Sequence, residues 1–135
     1  MATGSTLLIV KPDGVRRRLI GEVLRRVEEA GLTIDDIRME TIDRATAEEH
    51  YAEHREKPFF EELVEFITGG PVVIAKVSGD DAIARWRELM GPTDPKDAPP
   101  GTIRGDFASV ITENIVHGSD SQESADRELK LFFGK

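Results

Sequence analysis

Among the side chains of this sequence that could do chemistry, His117 has the most suggestive surroundings, Asn114-Ile115-Val116-His117-Gly118-Ser119-Asp120. The turn is polar, contains a glycine, and lies between a strand-like and a helix-like segment. A neutral imidazole is a competent nucleophile near neutral pH, because its ordinary pKa is about 6.5. It needs one free ring nitrogen and an acceptor on the other to fix the tautomer. Glu128, on the following helical segment, can fold back to supply that acceptor. Taken alone, a histidine in a turn is more often structural than catalytic.

The other two histidines occur in His50-Tyr51-Ala52-Glu53-His54, which spells H-x-x-E-H. On a continuous helix the two imidazoles would stand one turn apart and could hold zinc, with Glu53 as general base. Against a peptidase reading, the motif is short, Pro58 follows closely, and nothing marks a third ligand. The simpler reading leaves the imidazoles, His54 above all, on the surface of a short helix. His50 and His54 are not expected to be partners of His117.

Phosphate chemistry needs cations or helix N-termini, since phosphoryl transfer is mainly positioning and charge stabilisation. No G-x-x-x-x-G-K-[ST] loop and no protein-kinase glycine loop is present. A phosphate site would have to be assembled from separate side chains. Lys11 at a strand end, Arg87 on a helix and Arg104 at the end of a long loop are the candidates, each by itself an ordinary surface charge.

The elements that must position these groups follow from periodicity. Leu7-Leu8-Ile9-Val10 reads as a buried strand, closed by the turn signal Lys11-Pro12-Asp13-Gly14. Ile20, Val23, Leu24 and Val27 recur at helical spacing, with Gly31 at a C-cap position. Leu32 to Ile42 alternates as a second strand, and Thr46-Ala47-Glu48-Glu49 has the form of a capping box opening a short helix. Phe60, Leu63, Val64 and Ile67 mark another helix, Val72 to Val77 a third strand, and Asp80 to Met90 a helix. Gly91 to Asp106 reads as a long loop rich in proline and glycine. Phe107 to Thr112 is the expected fourth strand and Gln122 to Phe133 the last helix. This order predicts an α+β fold, a ferredoxin-like antiparallel four-stranded sheet covered by helices on one face.

Composition sets the outer bounds. A chain of 135 residues fits one domain, 1–135, with a hydrophobic core of its own. It contains no cysteine, which excludes disulfides and thiolate metal sites. The net charge of -8 disfavours non-specific nucleic-acid binding but leaves room for a local cationic cleft. No stretch has the length or flanks of a signal peptide or membrane span, so a cytoplasmic protein is expected.

Taken together the motifs cease to be independent. Asn114 to Ser121 resembles the active-site signature of nucleoside diphosphate kinases. So do Lys11 to Gly14, Tyr51, Pro58-Phe59-Phe60, Gly70 to Val73 and Pro100 to Phe107 at their places along the chain. The resemblance runs from about Leu7 to Phe133. It implies ping-pong transfer of the terminal phosphoryl group from a nucleoside triphosphate such as ATP to a nucleoside diphosphate, through phosphohistidine. By position, His117 matches the nucleophile, Glu128 the carboxylate orienting it, and Ser119 a further catalytic position. Lys11, Tyr51 and Asn114 match residues around the reacting phosphate and the ribose. Arg87, Thr93 and Arg104 match groups holding the other phosphates. Phe59 matches the aromatic under the base, and Leu63 lies beside it in the nucleotide-binding set.

Stacking without base-edge hydrogen bonds implies broad base specificity. Mg²⁺ is expected to arrive with the nucleotide, with Asp120 approaching it through water or serving instead as a helix N-cap. The family assembles as homo-oligomers. The loop carrying Pro95, similar to a subunit-contact loop, favours a hexamer over a tetramer or dimer. Asp35-Asp36 departs from the usually apolar second strand.

Overall fold

The computed structural model describes residues 3–108 and 114–134. Four strands form one sheet in the order β2-β3-β1-β4: β1 (Thr3–Val10), β2 (Thr33–Glu40), β3 (Val72–Asp80) and β4 (Val116–Gly118). All three pairings are antiparallel, the split arrangement of a ferredoxin-like sheet. The helices between them are α1 (Pro12–Arg16), α2 (Ile20–Glu29), α3 (Arg44–His50), α4 (Phe60–Thr68), α5 (Ala82–Met90), α6 (Ile103–Phe107) and α7 (Gln122–Phe133).

Helices cover both faces of this sheet, not one. Leu8 and Val10 pack with Val23, Val27, Ala82 and Trp86 of α2 and α5. Leu7 and Ile9 point the other way, into Ala47, Val64, Ile67 and Phe132 of α3, α4 and α7. A half-exposed strand would alternate apolar and polar residues; an unbroken apolar run is what a strand buried on both faces requires. All four side chains are completely buried. At about 1.5–3 kcal/mol for each fully buried side chain, they anchor the sheet's centre.

Several boundaries differ from the sequence expectation for identifiable reasons. The segment Lys11 to Gly14 is not only a turn. Lys11 is the N-cap of α1, and Pro12 takes the first helical position, where its missing N–H costs nothing. The cap of α3 is Asp43, whose side chain accepts from the Thr46 N–H, so the Thr46 capping box does not form. The loop from Gly91 holds a 3₁₀ turn at Pro95–Asp97 and then α6, capped by the Thr102 side chain on the Gly105 N–H. Phe107 therefore closes a helix instead of opening a strand. Residues 109–112 of the expected fourth strand lie outside the described residues, and the strand seen is β4. At Asp35 the β2–β3 register slips, so the acidic pair is accommodated as a bulge.

Candidate active site

The site lies where β1 ends, β4 begins, and the loop after α5 returns. Lys11 leaves β1 with its ammonium buried and donates to Asn114 Oδ1 at 3.0 Å. The Lys11 N–H donates to the Ile115 carbonyl at 2.7 Å, and Asp13 Oδ2 accepts from the Ile115 N–H at 3.0 Å. Between these contacts Ile115 is held at φ +75°, a region that β-branched residues seldom enter. The Asn114 side chain also donates to the Thr93 carbonyl at 3.0 Å. Burial, then the charge of Arg104, lowers the Lys11 pKa to about 8, with Asp13 opposing.

Arg104 is buried at the start of α6. Its guanidinium donates to three carbonyls: Asn114 at 3.3 Å, Gly91 at 2.9 Å and Val116 at 2.8 Å. It thus staples the α5–α6 loop to β4 while keeping its charge beside Lys11. Burial, then Arg87, brings its pKa down to about 10. Arg87, exposed on α5, donates to the Asp120 carbonyl at 3.3 Å. Three cations held this close are a poor arrangement for stability alone, and each would be relieved by an anion among them.

His117 sits in β4 opposite Ile9. Its carbonyl accepts from Trp86 Nε1 at 3.1 Å, and its ring Nε2 lies 3.1 Å from Glu128 Oε1. The same carboxylate oxygen accepts from Ser119 Oγ at 2.7 Å, and Ser119 Oγ in turn accepts from the Leu7 N–H at 3.3 Å. Burial pushes the Glu128 pKa up, but the hydrogen bond and charge of His117 outweigh it and bring it down to about 2. An ionised carboxylate only accepts, so the Nε2 facing it carries a proton, and in the neutral ring Nδ1 is then the nitrogen with the free lone pair. Among the described residues nothing hydrogen bonds to Nδ1. Gly118 follows because a Cβ there would lie 2.6 Å from Trp86 and Met90 atoms.

One cavity of about 1200 Å³ gathers most of the residues that the sequence singled out. Lys11, Tyr51, Phe59, Leu63, Arg87, Thr93, Arg104, Asn114, His117, Asp120 and Glu128 all line it. Ser119 does not, being fully buried behind Glu128. Phe59 stands at the cavity wall, 42% exposed, with Lys57 Nζ 5.9 Å from its ring centroid. Tyr51 is buried, and desolvation with the nearby Glu128 raises its pKa. Asp120 is not the cap of α7: Ser121 accepts from the Ser124 N–H, and Asp120 accepts from the Ser124 hydroxyl.

His50 departs most from expectation. It is 3% exposed, and its ring meets that of His117 edge-on at a centroid distance of 4.6 Å. Its Nδ1 is 4.0 Å from Glu128 Oε2. It is therefore a close neighbour of His117 and not a surface imidazole. His54 belongs to a separate 3₁₀ turn (Ala52–His54) and packs near Phe59 at 5.6 Å, so α3 ends before H-x-x-E-H could form one helical face. Asp13, Trp86 and Ile115 were also missed. Only the glycine at 118 and the Lys-Pro-Asp-Gly turn hinted at close packing there.

Comparisons with known proteins agree with one another. The family model for nucleoside diphosphate kinase matches residues 4–135. A curated nucleoside diphosphate kinase of Rubrobacter xylanophilus is 64% identical over 129 residues, covering 96% of this chain and 97% of that protein. One from Deinococcus radiodurans is 57% identical, covering 96% and 94%. Among solved structures, a halophilic nucleoside diphosphate kinase from Halobacterium salinarum in complex with CDP superposes with a TM-score of 0.96. It is 47% identical, with 99% of this chain and 90% of that one covered.

Proposed function

The chain belongs to the nucleoside diphosphate kinase family, and from that premise we propose which of its residues carry the reaction. The enzyme transfers phosphoryl groups between nucleoside triphosphates and nucleoside diphosphates. We assign the nucleophile to His117. The observation carrying this assignment is the Glu128–His117 hydrogen bond, which commits Nε2 and leaves Nδ1 as the free nitrogen of a ring lining the cavity.

In the first half-reaction the Nδ1 lone pair forms a bond to the terminal phosphorus. The bond from phosphorus to the bridging oxygen breaks, and its electron pair leaves with the nucleoside diphosphate. In the second, a terminal oxygen of the acceptor diphosphate attacks the same phosphorus and the N–P bond returns its pair to Nδ1. Glu128 keeps its negative charge beside the ring as positive charge develops there, and Ser119 holds that carboxylate in place. Lys11, Arg87 and Arg104 supply donors where the phosphoryl oxygens gather charge, and Thr93, Tyr51 and Asn114 complete the wall. The neutral stacking surface of Phe59 with Leu63 offers no base-edge partner, which supports acceptance of any nucleobase.

Kinases of this kind generally use a divalent metal, and we assign Mg²⁺. Asp120 fits it: the Ser124 hydroxyl keeps its pKa low, leaving an ionised hard-oxygen donor at the cavity beside Arg87. Mg²⁺ bound there through water with the nucleotide would neutralise phosphate charge. We further propose one catalytic domain over the whole chain and a cytoplasmic, homo-oligomeric enzyme, with a hexamer favoured. No helix of the described residues is long and apolar enough to cross a membrane. Ile37 and Met39 are 44% and 54% exposed on β2, at the sheet's edge, which supports self-association. Pro95 is buried in its own chain, so its loop would present its neighbours to a subunit.

Incubation with ATP labelled at the terminal phosphate tests the assignment. Acid-labile, base-stable label on the wild type, absent from His117→Ala, is expected. Label and transfer to a diphosphate surviving in that variant would disprove it.

A further inference from the structure

We propose that His50, His117 and Glu128 form a zinc-binding site that captures the nucleophile and switches phosphoryl transfer off. One ligand atom from each residue can be chosen so that all three lie within 4.8 Å of one another. Tetrahedral zinc, with bonds of about 2.0–2.1 Å, sets its ligands roughly 3.3 Å apart. His117 Nε2 and Glu128 Oε1 are already 3.1 Å apart, and His50 Nδ1 is 4.0 Å from Glu128 Oε2. With one atom from each residue the separations reach at most 4.8 Å, so the three side chains must draw together to hold the ion.

The second observation is His50 itself. Among the described residues both of its ring nitrogens are buried with no hydrogen-bond partner, although the side chain faces a carboxylate and another imidazole. Buried polar atoms are nearly always paired, and a pair of orphans on one imidazole calls for an occupant. All three residues line the cavity, which gives an ion a route in. Two nitrogens and one carboxylate suit zinc, not magnesium, whose preference is for oxygen. The set also differs from the H-x-x-E-H pair, since His54 is not part of it.

Binding forms bonds from the metal to a His50 nitrogen, His117 Nε2 and a Glu128 oxygen; the proton on Nε2 leaves to solvent, and nothing is oxidised. The fourth position opens to the cavity for water. Arg127, 3.7 Å from Glu128 Oε2, and the nearby Lys11 oppose the ion's charge. Their repulsion makes this a site that fills when zinc rises, not one with a resident metal. With zinc on Nε2, the ring gives up electron density and loses Glu128 as acceptor, so attack from Nδ1 slows. The switching effect rests on His117 being the nucleophile; the binding does not.

Equilibrium dialysis of the nucleotide-free, full-length protein against zinc, with Mg²⁺ present to occupy surface carboxylates, tests the site. One zinc per chain is expected. His50→Gln and Glu128→Gln should weaken it roughly tenfold or more, while His54→Gln leaves it unchanged. Cobalt in the wild type should give the intense visible bands of a four-coordinate ion, a readout that survives if a variant fails to fold. Equal binding by a folded His50→Gln variant, or a weak six-coordinate cobalt spectrum, overturns the site. Zinc should also slow labelling of the wild type about tenfold, reversibly with chelator, and spare His50→Gln. Zinc bound at the trio with labelling of His117 undiminished overturns the switch alone. Label persisting in His117→Ala indicts the nucleophile assignment and leaves the metal site standing.

Discussion

The carboxylate of Asp13 accepts the backbone N–H of Ile115 at 3.0 Å and thereby holds Ile115 at φ +75°. Left-handed backbone at a β-branched residue costs on the order of 1–3 kcal/mol and persists only where its surroundings enforce it. Here it sets the direction from which the chain enters β4 and so where His117 stands. Asp13→Ala should leave the buried Ile115 N–H unpaired and cost about 1–3 kcal/mol. Asp13→Asn, which keeps an acceptor oxygen, should recover most of that. Denaturant midpoints and the labelling rate of His117 check this together; an alanine variant as stable and as active as the wild type would contradict it.

Gly118→Ala places a methyl group 2.6 Å from Trp86 and Met90 atoms. Either β4 or α5 must shift, at a cost of about 1–3 kcal/mol. The shift disturbs the Trp86 bond to the His117 carbonyl before it disturbs the cations of the cavity. The expected kinetic result is a fall in kcat larger than any rise in KM, read from steady-state transfer to a diphosphate.

Lys11 predicts a pH dependence of nucleotide binding. With its pKa at about 8, the ammonium of the free protein loses its proton as pH passes through that value. A bound phosphate favours the charged form, so binding and proton uptake are linked above about pH 8. Diphosphate affinity by calorimetry should decline there, and Lys11→Gln should bind more weakly with no inflection. An unchanged wild-type affinity well above pH 8 would show that Lys11 stays charged.

Acid stability follows from Glu128 and His50. The Glu128 carboxyl titrates near 4.5 when unfolded and at about 2 when folded. Its contribution is complete above 4.5 and is lost as pH falls toward 2. His50 is lowered well below 6.5 by burial and then by His117, so protons favour the unfolded chain already below 6.5. The denaturation midpoint should start falling below about pH 6.5 and steepen below 4.5. Glu128→Gln should flatten the lower part of that curve.

Most of the site could be read from the sequence because its groups are polar residues in short, ordered motifs. The covering of the sheet was harder. Leu7 to Val10 declared a buried strand, but that both its faces are covered depends on where α3, α4 and α7 come to rest. A strand as short as Val116–Gly118 carries too little periodicity to compete with the apolar residues just before it. His50 was misplaced because local spacing paired it with His54. Its actual neighbours, His117 and Glu128, arrive from β4 and α7 through tertiary packing. Asp13 looked like a turn former, and its bond to Ile115 spans a separation that no local pattern reports.

The bond from Lys11 to Asn114 joins positions 103 residues apart, and Glu128 lies further along still. During synthesis from the N-terminus, Lys11, Tyr51 and Arg87 emerge well before any phosphate carrier exists. A chain cut short of Asn114 lacks both the histidine and the partner that holds the Lys11 ammonium in the cavity. Turnover therefore reports the folding of the domain from β1 to α7 as a unit, since no shorter stretch of it holds both the cations and the histidine with its carboxylate.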